Sequence, residues 1–137
     1  MTGTPPPWLR GLDREGWERV LMNGADEKFL VEAAARLIAR HGYWLGLPEF
    51  AEFLEFYPPD AAGIWYKRAA QALDDGRLPV RDQEDANVLR LAASLVVPYR
   101  VSLGEVIENN SAETIALIAE AMMYADGFLS SRATPMA

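Results

Sequence analysis

The sequence predicts an all-α protein, a single compact domain of about six or seven helices. Apolar residues recur at helical spacing along most of the chain, and helix-capping residues stand between these segments. No segment shows the polar–apolar alternation of a half-buried strand. The chain has 137 residues, of which 50% are hydrophobic and 24% charged, so it is large enough to bury a substantial core.

Capping residues delimit the first two predicted helices. Asp13 is suited to the N-cap of a helix that ends near Met22, before Asn23-Gly24. A second helix is predicted over about residues 26–41, with Gly42 as its C-cap. Its apolar stripe at helical spacing contains Leu30, Ala34, Leu37, Ile38 and His41.

Two prolines separate the third and fourth predicted helices. The third helix is expected over about residues 48–57, because Pro58-Pro59 cannot continue it. The fourth helix follows over about residues 60–74, with Asp60 as its N-cap and Gly76 beyond its end.

Acidic and hydroxyl side chains mark the starts of the last three predicted helices. Residues 82–85 place negative charge where a fifth helix would begin. Ser102 and Asn110 each precede a glutamate by three residues, the capping-box spacing, and predict a sixth and a seventh helix. In residues 115–125 only Glu120 is charged, so we expect the seventh helix to be the central and most buried one.

Residues 26–76 and 82–127 share one outline: an Ala/Leu-rich helix, a short element beginning at Leu, and a longer helix ending in Asp-Gly. One interpretation is an internal duplication that forms two stacked three-helix units. The other is chance, because any two Ala/Leu-rich helical stretches align loosely. Both units belong to one predicted domain, residues 1–137, with loosely ordered tails at 1–9 and 130–137.

Charge and composition exclude several classes of function. The formal net charge is −7, and residues 101–131 contain five carboxylates but no Lys or Arg, which disfavours binding to phosphate backbones. The chain has no cysteine, no signal-peptide pattern and no apolar run long enough to span a bilayer. We therefore expect a cytoplasmic protein that does not enter membranes.

No catalytic, metal-binding or cofactor-binding motif is present in the sequence. His41 is the only histidine, and it has no carboxylate three or four residues away to complete a ligand pair. It is expected to interact with the dipole at the end of its helix. Glu49, Glu52 and Glu55 recur every three residues and keep a small carboxylate-dependent enzyme as a second alternative. We predict a protein without enzyme activity, metal or cofactor.

Aromatic residues concentrate between positions 43 and 66, which hold eight of the chain's fourteen. A short surface helix cannot bury so many, and exposed aromatic side chains are typical anchors of protein interfaces. The sequence thus predicts a protein-interaction module or small assembly subunit that docks on a protein partner, a basic partner surface or a second copy of itself. The predicted contact residues are Tyr43, Trp44, Phe53, Phe56, Tyr57 and Tyr66.

The first alternative function is a nucleic-acid-binding regulator of helix-turn-helix type. The predicted third and fourth helices have that outline, and Lys67, Arg68 and Gln71 would lie on the second of them. The final helix lacks Lys, Arg, Asn and Gln and could not read bases. Nucleic-acid binding is therefore the less favoured prediction.

Overall fold

The computed structural model describes residues 11–108 and 110–126, which form six α-helices and one β-hairpin. The predicted helical class is confirmed, and none of the described helices is long and apolar enough to cross a bilayer. In chain order the elements are α1 (Arg14–Gly24), α2 (Phe29–His41), β1 (Leu54–Tyr57), β2 (Ala61–Ile64), α3 (Tyr66–Asp74), α4 (Gln83–Val96), α5 (Leu103–Ile107) and α6 (Ala112–Ala125).

Local capping sets most helix boundaries where the sequence predicts them. Asp13 accepts a hydrogen bond of 2.8 Å from the Gly16 amide at the start of α1. The Asp82 side chain accepts from two first-turn amides of α4. Gly42, with φ of 86°, ends α2 in the left-handed conformation that favours glycine. These caps act within a few residues, so the sequence alone reveals them.

Two boundaries differ from the prediction. Helix α2 begins at Phe29 rather than near residue 26, because Asp26 and Glu27 have positive φ angles of 55° and 58° that no α-helical residue adopts. Helix α5 begins after Ser102 as predicted, although the Ser102 side chain makes no capping bond. The last helix is capped by Ser111, whose hydroxyl accepts from the Thr114 amide, rather than by Asn110.

The predicted helices across residues 48–57 and 60–74 are wrong around the double proline. Pro48–Phe53 forms a 3-10 helix, and β1 then pairs with β2 as an antiparallel hairpin in which Leu54 opposes Ile64. The aromatic and branched side chains of this stretch suit strands as well as helices. The deciding contact is tertiary, since β2 packs on α1 with Gly24 directly beneath the Ala62 backbone.

Helix α2 lies at the centre of the fold. Helices α1, α4 and α6 all pack against it, and α3 packs against α4. Three consecutive alanines, 33–35, are buried, and at about 100° per residue they span some 200° of the helix surface. Helix α2 is therefore covered on more than one face. Because its alanine side chains are small, the neighbouring helices can approach closely.

The prediction that the last helix is the most buried is wrong. Helix α6 packs on α2, but it buries only one side, consisting of Thr114, Ile118, Ala121 and Tyr124. On its other side Ile115, Met122 and Met123 are 37%, 41% and 43% exposed. Its apolar composition therefore reflects an exposed surface as well as a buried one.

The two predicted repeat units correspond to α2, the hairpin region and α3, and to α4, α5 and α6. The first helix of each unit packs on the last helix of the other, α2 on α6 and α4 on α3. Their middle elements differ, since one unit has a hairpin and the other a short helix. Internal duplication stays a prediction, and both predicted tails, residues 1–9 and 130–137, lie outside the described residues.

We predict that Gly24→Ala destabilises the protein. A Cβ at position 24 would lie 2.0 Å from the Ala62 carbonyl oxygen, so α1 and the hairpin would have to separate, at a cost of about 1–3 kcal/mol. Gly104→Ala is the matched control, because nothing lies within 4 Å of a Cβ there. It should stabilise by less than about 1 kcal/mol. Urea unfolding measures both, and equal midpoints would contradict the packing described here.

Candidate functional site

The predicted aromatic contact residues divide between the core and the surface. Trp44, Phe53 and Tyr66 are buried, Tyr43 and Phe56 are half-buried, and only Tyr57 is exposed. The hairpin folds this region back on itself, so that the Phe50 ring lies between those of Trp44 and Phe53 at centroid distances of 5.5 and 5.8 Å. Most of the cluster therefore fills the interior, and partner binding by the remaining residues stays a prediction.

The aromatic residues nearest the surface are held by contacts within the chain. The Tyr43 hydroxyl donates to the Pro79 carbonyl at 2.6 Å, and the Arg81 guanidinium lies 4.5 Å from its ring centre. The Tyr57 hydroxyl donates to Glu55, which raises the pKa of Tyr57 to about 12. These contacts reduce the aromatic surface that is free for a partner.

A different apolar surface is exposed at the other end of the chain. Of the eight large hydrophobic side chains exposed among the described residues, five lie in α5 and α6. This concentration in two adjacent helices is unlike the isolated exposed hydrophobics of ordinary surfaces. We call it the α5–α6 face, and its residues are Leu103, Ile107, Ile115, Met122 and Met123.

The residues of the α5–α6 face are contiguous. Leu103 and Ile107 lie one turn apart on α5, and Ile107 and Ile115 line one shallow depression between the two helices. On α6, Met122 and Met123 follow Ile115 at seven and eight residues, on the same side of the helix. The exposed positions between them are Ala116 and Ala119, so no charge interrupts the surface.

Ionic and hydrogen-bonding contacts fix the orientation of α6 on α2. The Glu120 carboxylate accepts from Arg36 at 2.7 Å and from Arg40. One turn further, the Tyr124 hydroxyl donates to Glu32 at 3.2 Å. The Arg36 guanidinium lies 4.4 Å from the Tyr124 ring centre, a cation–π contact. We call this set of contacts the α2–α6 seam.

The seam extends to α1 through Arg40. The Arg40 Nε donates to Glu18 of α1 at 2.7 Å while its Nη1 donates to Glu120 of α6. The Glu18 hydrogen bond is the main reason that the pKa of Arg40 is raised above its ordinary value. One guanidinium thus ties three helices together and holds the Glu120 side of α6 against the body of the protein.

The N-terminal end of α6 is attached to α4. The Glu84 carboxylate accepts from the Ser111 amide at 3.0 Å and from its hydroxyl at 2.7 Å. The Ser111 side chain, followed by the Thr114 side chain, is the main reason that the pKa of Glu84 is lowered to about 2. Nearby, the Asn87 amide donates to the Asn110 side chain at 3.0 Å. Both ends of α6 are therefore positioned by polar contacts with other helices.

Carboxylates surround the α5–α6 face. Glu105 and Glu108 line the depression between the helices, and Glu113 is exposed in the first turn of α6. Within residues 11–108 and 110–126, no Lys or Arg forms an ion pair with any of these three. The surface thus combines apolar side chains with uncompensated negative charge.

His41 has a partner that helical spacing does not reveal. Its Nε2 lies 3.4 Å from a carboxylate oxygen of Asp85, on α4. Asp85 is fully buried and also accepts three hydrogen bonds from the backbone and side chain of Arg81. Burial lowers the pKa of His41. The pair links α2 to α4, and across the described ranges no group of three His, Asp or Glu could hold a metal ion.

No protein-family model matches the chain, and comparison with curated proteins and with solved structures found no match. Function is therefore inferred from the surface and contacts of this protein alone.

The sequence does not predict the α5–α6 face, although it contains the apolar residues that form it. The scarcity of charge over residues 115–125 predicts a deeply buried helix instead. Seven of the fourteen positions of α6 are nevertheless exposed, because a helix attached along one side leaves the other in solvent. The sequence also shows carboxylates without Lys or Arg in residues 101–126, but their proximity to the apolar residues depends on the fold.

We predict that Glu120→Gln loosens α6. The change removes the charge shared by Arg36 and Arg40 and should lower the free energy of unfolding by about 1–2 kcal/mol, since the site is partly exposed to solvent. Amide hydrogen exchange in α6 should accelerate more than elsewhere. Glu113→Gln is the control on the same helix and should change stability by less than about 0.5 kcal/mol. Equal effects of the two substitutions would show that the seam does not hold α6.

The bonds to Ser111 predict a specific dependence of stability on pH. Because the folded pKa of Glu84, about 2, lies below its ordinary value of 4.5, this carboxylate stabilises the fold above pH 4.5 and loses its contribution as the pH falls toward 2. Ser111→Ala should raise the pKa of Glu84, measured by NMR titration of its side-chain carbonyl. Ser102→Ala is the control, because Ser102 makes no capping bond. An unchanged Glu84 pKa in Ser111→Ala would refute the assignment.

Proposed function

We propose that the protein is a non-enzymatic protein-interaction module that binds a partner protein through the α5–α6 face. The observation that carries this proposal is the orientation of α6. Glu120 and Tyr124 bond to the body of the protein, next to the buried Ile118 and Ala121, whereas Ile115, Met122 and Met123 face solvent. Helix α6 is thus apolar on its outer side as well as its inner one, whereas the outer side of a surface helix is ordinarily polar. Contiguous exposed apolar surface is typical of sites that bind another macromolecule.

A comparison with α3 supports the proposal. Counted back from the Asp-Gly that ends each unit, Gln71 of α3 corresponds to Met122 of α6, and Arg68 corresponds to Ala119. All four positions are exposed. Polar residues are therefore compatible with the exposed side of such a helix, and the fold itself does not require apolar residues there.

The alternative functions have weaker support. A helix-turn-helix needs two helices across residues 48–74, and the first of them is replaced by a 3-10 helix and β1. Lys67, Arg68 and Gln71 are exposed on α3, but Asp74 and Asp75 lie at the end of the same helix. The carboxylate-dependent enzyme has weaker support because Glu49 and Glu52 are exposed to solvent. The third carboxylate, Glu55, accepts a hydrogen bond from Tyr57.

Site-specific photo-crosslinking tests the proposal. A photoreactive amino acid is placed at Ala119 on the α5–α6 face or, as a matched control, at Gln71 on α3, in cells that produce the protein naturally. We expect protein adducts of defined mass from Ala119 and not from Gln71. Binding of the purified adduct partner to the Ile115→Gln/Met122→Gln variant should then be weaker by at least about tenfold, as expected when buried anchors are lost.

The crosslinking experiment also has outcomes that contradict the proposal. Identical adducts from both positions, or none from Ala119, would overturn it. So would a partner whose affinity is unchanged in the double variant. The variant must keep the circular dichroism spectrum and unfolding midpoint of the parent protein, which we expect because both substituted side chains are exposed and their replacement usually costs little stability.

A further inference from the structure

Resting on the proposed function, we infer that the partner presents a basic amphipathic helix to the α5–α6 face. The occupant would place its apolar side chains against Ile107, Ile115 and the two methionines, and its Lys and Arg side chains beside the surrounding carboxylates. Two features of the site, its charge and its shape, lead independently to this class of partner.

Electrostatic complementarity favours a cationic occupant. Glu105 and Glu108 lie at the depression itself, and Glu113 is exposed in the first turn of α6. No Lys or Arg occurs in residues 101–126 to neutralise them. A partner with positive charge around an apolar centre gains attraction and association rate, whereas an acidic partner is repelled. Phosphate-rich surfaces, such as nucleic acid and anionic membranes, are disfavoured for the same reason.

The shape of the face suits a helix rather than a strand. Ile107 and Ile115, from two different helices, line one depression whose wall includes Gly104, where nothing lies within 4 Å of a Cβ position. From Ile115 to Met123 the apolar surface continues for about 12 Å along α6, which is roughly two helical turns. An amphipathic helix in a groove uses anchors at this spacing, and flexible methionine side chains adapt to such anchors.

A second copy of this chain is a poor occupant of the same face. A symmetric dimer brings identical patches together, so Glu105, Glu108 and Glu113 of one copy would approach their counterparts in the other. With no cation in residues 101–126 to separate them, the repulsion would oppose association. A basic amphipathic helix can contact the same apolar residues of the face without this repulsion between carboxylates.

Three synthetic amphipathic helices test the charge requirement on the full-length protein. They share one apolar face and carry Lys, Gln or Glu at the polar positions. By fluorescence anisotropy at low salt, we expect the Lys peptide to bind at least about tenfold more tightly than the Gln peptide, and the Glu peptide to bind most weakly. The preference for Lys over Gln should shrink at high salt, because exposed charges are then screened.

Substitutions in and outside the α5–α6 face test where the peptides bind. Glu105→Gln/Glu108→Gln should bring the affinity for the Lys peptide close to that for the Gln peptide, whereas Glu49→Gln/Glu52→Gln, at two exposed carboxylates outside the face, should leave the preference intact. Ile115→Gln should weaken binding of the Lys and Gln peptides alike. Methyl NMR signals of Ile107, Ile115 and Met122 should shift on addition of the Lys peptide.

Failure of this inference is distinguishable from failure of the proposed function. Equal affinity for the Lys and Gln peptides, absence of binding by the Lys peptide, or shifts confined to residues outside α5 and α6 would each overturn the basic-helix partner. An Ala119 adduct between two copies of the protein would also overturn it while supporting a protein-binding face. The proposed function itself fails only in the crosslinking experiment, which assumes nothing about the charge or secondary structure of the partner.

Discussion

The shared carboxylate of Glu120 determines which side of α6 faces the protein. It accepts from two arginines of α2, and one of these also bonds to Glu18 of α1. If α6 rotated by half a turn, Ile115 and the methionines would meet α2 in place of Ile118 and Ala121, and Arg36, whose side chain is 17% exposed, would lose its carboxylate. Because both sides of α6 carry apolar residues, their burial distinguishes the two orientations less than the loss of a partner for a largely buried charge. The seam therefore keeps Ile115, Met122 and Met123 outward.

The aromatic residues are inside because the helices around them are built from small side chains. Helix α2 supplies Ala34, α3 supplies Ala69 and Ala70, and α4 supplies Ala92 and Ala93, all of them fully buried. Alanine on several neighbouring helices leaves volume that large rings must fill at normal packing density. Trp44 and Phe50 occupy this space, and the Trp44 indole donates to the Asp85 carbonyl at 2.9 Å. Composition by itself does not distinguish such a core from an exposed aromatic patch.

The helical class and most helix ends could be predicted because they depend on neighbours in the chain. Asp13, Gly42 and Asp82 each act within a few residues of themselves. The hairpin could not be predicted, because β2 forms where α1 supports it. Which side of α6 faces solvent could not be predicted either, since it depends on contacts between residues 80 or more positions apart. Apolar periodicity shows that a helix has a preferred side without showing which partner that side meets.

The long sequence separation within the seam also imposes an order on biosynthesis. Helix α2 is complete at His41, yet the carboxylate that pairs with Arg36 and Arg40 is added about 80 residues later. At ribosomal rates of about 5–20 residues per second, roughly 4–16 seconds pass between the synthesis of the two arginines and that of Glu120. During that interval Arg36 lacks the Glu120 carboxylate, Arg40 has only Glu18 of the two carboxylates that it contacts, and the α6-facing side of α2 is uncovered. Until Glu120 has been added, the nascent chain therefore differs in charge and in exposed apolar surface from the folded protein described above.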